Sequence, residues 1–316
     1  MNINLILFII LITVFSANAQ SVKNNGQLQV KGTQLVNENN EPLMLRGVSF
    51  GWHNWFPRFY NKQTVYWLVD DWKCNVVRAA IGIEPDGGYL SHPHFAEKKV
   101  EAVVNAAIEK DIYVIIDWHS HNINLEAAKG FFAEMAKKYG KYPNVIYEIF
   151  NEPDYEAWVD VKSYSAELIA TIRKYDEDNV ILVGNPHWDQ DVHMVADDPL
   201  EGYNNIMYTL HYYAATHKDS LRQRGDYALQ KGIPIFISEC AGMEANGDNP
   251  INYDEWQTWI DWSEENKISW VIWSIADKDE TCSMLNKGAS SKGKWKEGEL
   301  KESGIKTREL LRKYNK

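Results

Sequence analysis

From residue 43 onward, short runs of apolar residues recur along the chain, separated by longer segments whose apolar positions repeat at helical spacing. The runs are LMLRGVSF (43–50), CNVVRAAI (74–81), IYVIIDWH (112–119), VIYEIFNE (145–152), VILVGN (180–185), IMYTLHYY (206–213), IPIFISEC (233–240) and SWVIWSIA (269–276). They are apolar nearly throughout rather than alternating, the pattern of parallel strands covered on both faces. Between them, Val100, Val103, Val104, Ala107 and Ile108 make one stripe of a helix. A second segment around 164–174 places Leu168, Ile172 and Tyr175 on one face, and a last one, 302–314, carries Leu310 and Leu311. Ahead of the first run, LQVKGTQLV (28–36) reads as a short β-hairpin followed by a polar turn. Eight strands joined by crossover helices predict an α/β fold, and eight is the number that closes as a (β/α)8 TIM barrel. An open doubly wound sheet would want a glycine-rich phosphate turn, and no G-x-G-x-x-G occurs.

The length of 316 residues suits one such barrel with decorations. Leu5 to Phe15 is apolar but too short to span a bilayer, and Ala17-Asn18-Ala19 follows as a cleavage signal. Residues 1–19 are therefore expected to be a signal peptide, with 20–316 a single secreted domain and no membrane segment in the mature form. A formal net charge of −11 argues against a nucleic-acid partner and suits a neutral one. Thirteen tryptophans offer surfaces on which sugar rings can stack, although a large core also uses them. Cys74, Cys240 and Cys282 are odd in number, so at least one is unpaired, and none has metal-ligand spacing.

Polar and ionisable residues collect at the C-terminal ends of the runs: Arg78, His119, Asn151 with Glu152, His211 with Tyr213, Glu239 and Trp273. In a barrel these ends converge on one face, where active sites are built. Glu152 and Glu239, on the fourth and seventh strands, can meet across that mouth. Cleaving a glycosidic bond requires one acid to protonate the leaving oxygen and a second carboxylate on the other face of the sugar. Arg78 can keep Glu239 ionised, while Glu152 needs a raised pKa to hold a proton. Glu148 shares the strand parity of Glu152 and should point inward lower down, satisfied by a buried cation or donor. His119-Ser120-His121 invites a metal reading, but no further converging ligands are evident, and no metal or cofactor is expected.

VIYEIFNEP (145–153), with DWH (117–119), HYYAATH (211–217), ISE (237–239) and WSIADKDE (273–280), resembles glycoside hydrolase family 5, in particular its bacterial endoglucanase subfamily. The similarity runs from about Leu43 to Glu280. It implies a retaining endo-1,4-β-glucanase acting on β-glucan as a monomer, with Glu152 as acid/base and Glu239 as nucleophile. It further implies that Asn151 holds the sugar 2-hydroxyl, Arg78 and Tyr213 hydrogen-bond Glu239, His211 sits beside Glu152, and His119 contacts the same sugar. Trp273 would be a stacking floor, followed by a peptide bond that is commonly cis. Trp55, Trp188, Lys278 and Glu280 match sugar-binding positions along the cleft. Two positions depart from the pattern. Gly51, followed by Trp52 and His53, stands where relatives have a His, and Gly82 stands where they often have a Tyr. Mannan, xylan or mixed-linkage glucan as substrate, or a barrel that binds carbohydrate without cleaving it, are the competing expectations.

Overall fold

The computed structural model describes residues 21–315, so the expected signal peptide lies outside the described residues. The hairpin forms from β1 (Gln29–Lys31) and β2 (Gln34–Val36), with Val30 opposite Leu35. Its turn passes through Gly32 at φ 58°, a conformation that glycine adopts without penalty. Eight strands follow: β3 (Arg46–Phe50), β4 (Val76–Gly82), β5 (Tyr113–His119), β6 (Val145–Glu148), β7 (Ile181–Val183), β8 (Ile206–Tyr213), β9 (Ile235–Ala241) and β10 (Trp270–Ile275). Each falls on one of the apolar runs, with β4 and β9 reaching one residue past theirs. All pair in parallel, and β10 returns to β3 with Trp270 opposite Arg46, which closes the barrel.

Alternation along the strands sorts the side chains into an outer and an inner set. On β4, Val77, Ala79 and Ile81 pack outward against the helices. Val76 packs inward with Leu45, Tyr113, Ile115, Ile146, Leu182, Met207, Phe236 and Val271, and the hairpin region closes this layer with Leu28 and Leu35. The N-terminal half of the interior is therefore an apolar plug.

The outer helices follow the expected stripes with one exception. The helix Pro93–Glu109 buries Val100, Val103, Val104 and Ala107. The helix Trp158–Ile172 buries Leu168 and Ile172, but it ends there, and Tyr175 lies beyond it, 50% exposed. The final helix, Glu302–Tyr314, buries Leu310 and Leu311, and Arg308 and Arg312 pin it to Asp71 at 2.7 and 2.6 Å. All three cysteines are free and buried. Among the described residues, no helix is long and apolar enough to cross a membrane.

Candidate active site

Directly above the apolar plug the inward positions turn polar. Arg78 is the third residue of β4, inside the strand rather than after it, and is completely buried. Its Nε and Nη2 donate to the two oxygens of Glu148 at 2.7 and 3.1 Å. Nη1 donates to Glu239 Oε2 at 3.0 Å, Nη2 donates to Asn151 Oδ1 at 2.6 Å, and Asp117 Oδ2 lies 3.0 Å away. A planar guanidinium is suited to this because its donors have fixed directions and can brace several acceptors at once. Glu148 thus has the buried cation its position demanded. Burial alone would raise its pKa, but Arg78 and His211 together outweigh burial and bring it down to about 2.

The mouth is built on this layer. Phe236 packs in the apolar plug, so strict alternation on β9 would turn Glu239 away from the axis. The register against β8 slips: Thr209 is opposite Phe236, yet His211 is opposite Glu239. That irregularity re-aims Glu239 into the mouth, where it also accepts a hydrogen bond from Tyr213 Oη at 2.7 Å. Glu152 follows β6, its N–H donating to the Ser120 carbonyl at 3.2 Å. Its Oε1 lies 2.9 Å from His211 Nδ1 and its Oε2 lies 3.8 Å from His121 Nδ1. A carboxylate oxygen of Glu152, one of Glu239 and a ring nitrogen of His211 all lie within 4.8 Å of one another. His119 and His121 do not form a comparable ligand pair. His119 Nδ1 bonds Asp117 Oδ2 at 2.7 Å, and its ring lies parallel to Trp273 at 5.0 Å, with 2° between the planes.

The proton distribution differs from the sequence expectation. Burial and the neighbouring Glu152 raise the pKa of Glu239, against the pull of Arg78. Burial also pushes Glu152 up, but the hydrogen bond and charge of His211 outweigh it and leave Glu152 lowered. Burial disfavours a charge on His211, yet Asp189, Glu148 and Glu152 together hold its pKa well above the usual imidazole value. His211 Nε2 lies 2.9 Å from Ser238 Oγ and 3.3 Å from Asp189 Oδ2, and Ser238 in turn donates to Glu148 at 2.7 Å. The cause of the difference is thus the carboxylate surroundings of His211, which favour its charged form and were not evident from the sequence alone.

Two cavities meet at Glu152 and Tyr213. One, about 270 Å³, is lined by Trp55, Trp273, Lys278 and Glu280, together with Glu239 and Glu152. The other, about 440 Å³, is lined by Trp188, His211, Tyr213 and Glu152. All twelve sequence-nominated residues therefore lie in or directly behind one continuous cleft, Arg78 and Asn151 in its floor. The Trp273–Ser274 peptide bond is cis. Trp188 sits in the Pro186–Asp189 turn, where His187, Trp188 and Asp189 all have positive φ, between 55° and 59°. Three successive side-chain-bearing residues in this region cost about 1–2 kcal/mol each. Hydrogen bonds from Trp188 N–H to the Pro153 carbonyl (2.9 Å) and from Asn185 N–H to Asp189 Oδ1 (2.6 Å) hold them there.

Sequence reasoning did not nominate Asp117, Ser238, Asp189, His121 or Trp52. Asp117 shares inward parity with His119 and was findable on that basis, as was Ser238 relative to Phe236. Trp52 explains the departure at Gly82, whereas a side chain at Gly51 would instead meet Phe56 at 3.0 Å and Ala276 at 3.1 Å. A side chain at Gly82 would begin 2.6 Å from the Trp52 ring, so the space a Tyr would fill is already taken. Trp52 stands edge-on to His119 at 4.3 Å and lies 4.8 Å from Trp55. His53 is buried behind it, its Nδ1 accepting the Gly82 N–H at 3.0 Å.

The family described as "Cellulase (glycosyl hydrolase family 5)" matches residues 36–279. An endoglucanase of Clostridium saccharobutylicum is 42% identical over 95% of the chain and 68% of its own length. Endoglucanase 5 of Pectobacterium carotovorum is 44% identical over 94% of the chain, which spans 60% of that relative. Among solved structures, the catalytic domain of Thermobifida fusca endoglucanase Cel5A superimposes with a TM-score of 0.87 at 33% identity, covering 92% of this chain and 99% of that one. A barrel closed by eight parallel strands, a pair of facing glutamates at its mouth and these similarities together place the chain in glycosyl hydrolase family 5, the cellulase family.

Proposed function

We propose that the protein is an endo-acting, retaining β-1,4-glucanase that works by double displacement through a covalent glycosyl-enzyme intermediate. The observation that carries this reading is the spacing of Glu152 and Glu239, whose nearest oxygens lie within 4.8 Å. Retaining enzymes hold their carboxyl groups about 5–5.5 Å apart, whereas an inverting pair leaves about 6.5–9.5 Å for a water. Glu239, braced by Arg78 and Tyr213, attacks the anomeric carbon, and Glu152 protonates the departing oxygen. Glu152 delivers its proton from a carboxyl group held by His211, whose Nδ1 lies 2.9 Å from Glu152 Oε1. In the second step Glu152 takes a proton from water, which displaces the glucosyl group from Glu239.

The remaining residues take supporting roles in this scheme. Asn151 accepts from Arg78 through Oδ1, while its buried Nδ2 has no partner among the described residues, leaving a donor for a sugar hydroxyl. His119 and Trp273, stacked together, supply a donor and a floor for the same sugar. Trp55, 51% exposed, and the Lys278–Glu280 ion pair line one arm of the cleft, and Trp188 lines the other. Cellulose-type chains are favoured as substrate by the endoglucanase names of the relatives and by a Cel5A variant of T. fusca solved with cellotetraose. The reading takes residues 20–316 as one exported catalytic domain. Proton NMR of cellopentaose hydrolysis tests it, with β-configured product expected first. An initial α-product would overturn retention, and release of reducing ends from mannan or xylan but not from cello-oligosaccharides would overturn the substrate.

A further inference from the structure

Beyond the cleft, Tyr155 is 82% exposed, the most exposed large hydrophobic side chain among the described residues. Its ring is not isolated. It stands 5.6 Å from Trp188 with 75° between the planes, so the two form an aromatic corner. The backbone beneath that corner is tied on both sides. Trp188 N–H donates to the Pro153 carbonyl at 2.9 Å, Asp154 N–H to Glu156 Oε2 at 3.1 Å, and Tyr155 N–H to Asp154 Oδ1 at 2.6 Å. The left-handed turn that fixes Trp188 therefore also fixes its distance from the loop carrying Tyr155. Tyr155 touches Trp188 without lining the Trp188 cavity, so it stands at the edge of that cavity.

We infer that Tyr155 is a specificity-determining binding residue. It would form an outer sugar contact for the second glucosyl unit on the leaving-group side of the cleaved bond. The inference rests on the glucanase reading above and extends it. A β-linked glucosyl ring presents C–H faces that associate with an aromatic surface, and its hydroxyls point outward at the ring edge. Trp188 receives the first unit past the cleavage point, within the 440 Å³ cavity beside Glu152. The next unit emerges at the corner, where the Tyr155 ring offers apolar surface and the carboxylates of Asp154 and Glu156 offer acceptors for its hydroxyls.

The test is the bond-cleavage pattern of reducing-end 18O-labelled cellopentaose, read by mass spectrometry in the wild-type protein, Tyr155→Ala and Tyr155→Phe. Tyr155→Ala should lower the ratio of cleavage leaving two or more units on the reducing side to cleavage leaving one, by about threefold to tenfold. Tyr155→Phe, which keeps the ring, should retain the wild-type ratio. An unchanged ratio in Tyr155→Ala, with cellopentaose still cleaved, overturns the assignment of Tyr155 alone. If the wild-type protein cleaves no cello-oligosaccharide, the glucanase reading falls and this inference falls with it. Tyr155 is so exposed that its replacement leaves the core untouched.

Discussion

Val76 and Arg78 stand two residues apart on β4 and face the same interior, yet they belong to regions with opposite chemistry. Val76 joins a layer of aliphatic and aromatic side chains closed from below by the hairpin region. Arg78 begins a layer in which four carboxylates, from Asp117, Glu148, Glu152 and Glu239, and the imidazole of His211 are gathered around or near one guanidinium. Apolar burial stabilises the lower layer directly, at about 25 cal/mol per Å². The upper layer gains little net stability from its ion pairs, because desolvating the charges offsets most of their attraction. What it gains is fixed position and shifted protonation, which a reaction centre requires. One strand supplies both regions because its inward positions alternate at two-residue steps up the barrel.

Substitutions should separate the two halves, one failing in chemistry and the other in folding. Glu239→Ala should lower kcat on a soluble β-glucan by about 10⁴-fold or more, roughly 5.5 kcal/mol, since no other carboxylate can attack in its place. Its stability should fall less than that of Glu148→Leu, because Arg78 keeps Glu148 and Asp117 as partners, and appreciable residual turnover would show that the nucleophile lies elsewhere. Glu148→Leu should damage both properties. Removing one partner of a buried pair costs about 3–5 kcal/mol in stability, and Arg78 would lose the brace that aims it at Glu239. Urea unfolding together with kcat/KM checks this; loss of one property without the other would break the link drawn between the layers. Leu182→Ala, in the apolar plug, should cost about 2–5 kcal/mol of stability while kcat/KM, measured well below the unfolding transition, stays near wild type.

Two smaller effects belong to the rim. His53 is buried, and burial, with a contribution from Lys99, lowers its pKa to about 4. Between pH 6.5 and 4 the unfolded chain therefore binds a proton that the folded chain refuses, so stability rises with pH across this window. The contribution is fully present above about 6.5 and lost as pH falls towards 4, amounting to roughly 3 kcal/mol. His53→Gln should flatten the dependence of unfolding free energy on pH in that interval, and an unaltered slope would remove His53 as its source. Trp188→Ala should weaken binding of cello-oligosaccharides about tenfold, roughly 1.4 kcal/mol, with a smaller change in kcat. Calorimetric titration into an inactive Glu152→Gln background measures it, and an unaltered affinity would exclude Trp188 from the cleft.

The positions of the strands, the inward aim of Glu148 and the pairing of Glu152 with a second glutamate were legible because they follow from local pattern. A continuous apolar run marks a strand covered on both faces, and parity along that strand fixes which side chains share a direction. Parity failed where the strand itself is irregular. Phe236 faces the plug and Glu239 the mouth only because the register of β9 against β8 slips between them. Arg78 could be expected near Glu239, but its simultaneous hold on Glu148, Asn151 and Asp117 depends on four strands or strand ends meeting. Trp52 filling the space above Gly82 is likewise a contact between the loop after β3 and the end of the neighbouring strand β4.

The sequence by itself determined the barrel, the end of it that carries chemistry, and the residue types available there, because hydrophobic periodicity and strand order are properties of neighbouring residues. Tertiary structure alone decided that the two glutamates approach within 4.8 Å, that Asp189, Glu148 and Glu152 surround His211 and raise its pKa, and that Tyr155 and Trp188 form a corner. Distances, burial and electrostatic fields are sums over groups brought together by folding, and no local stretch of chain contains them.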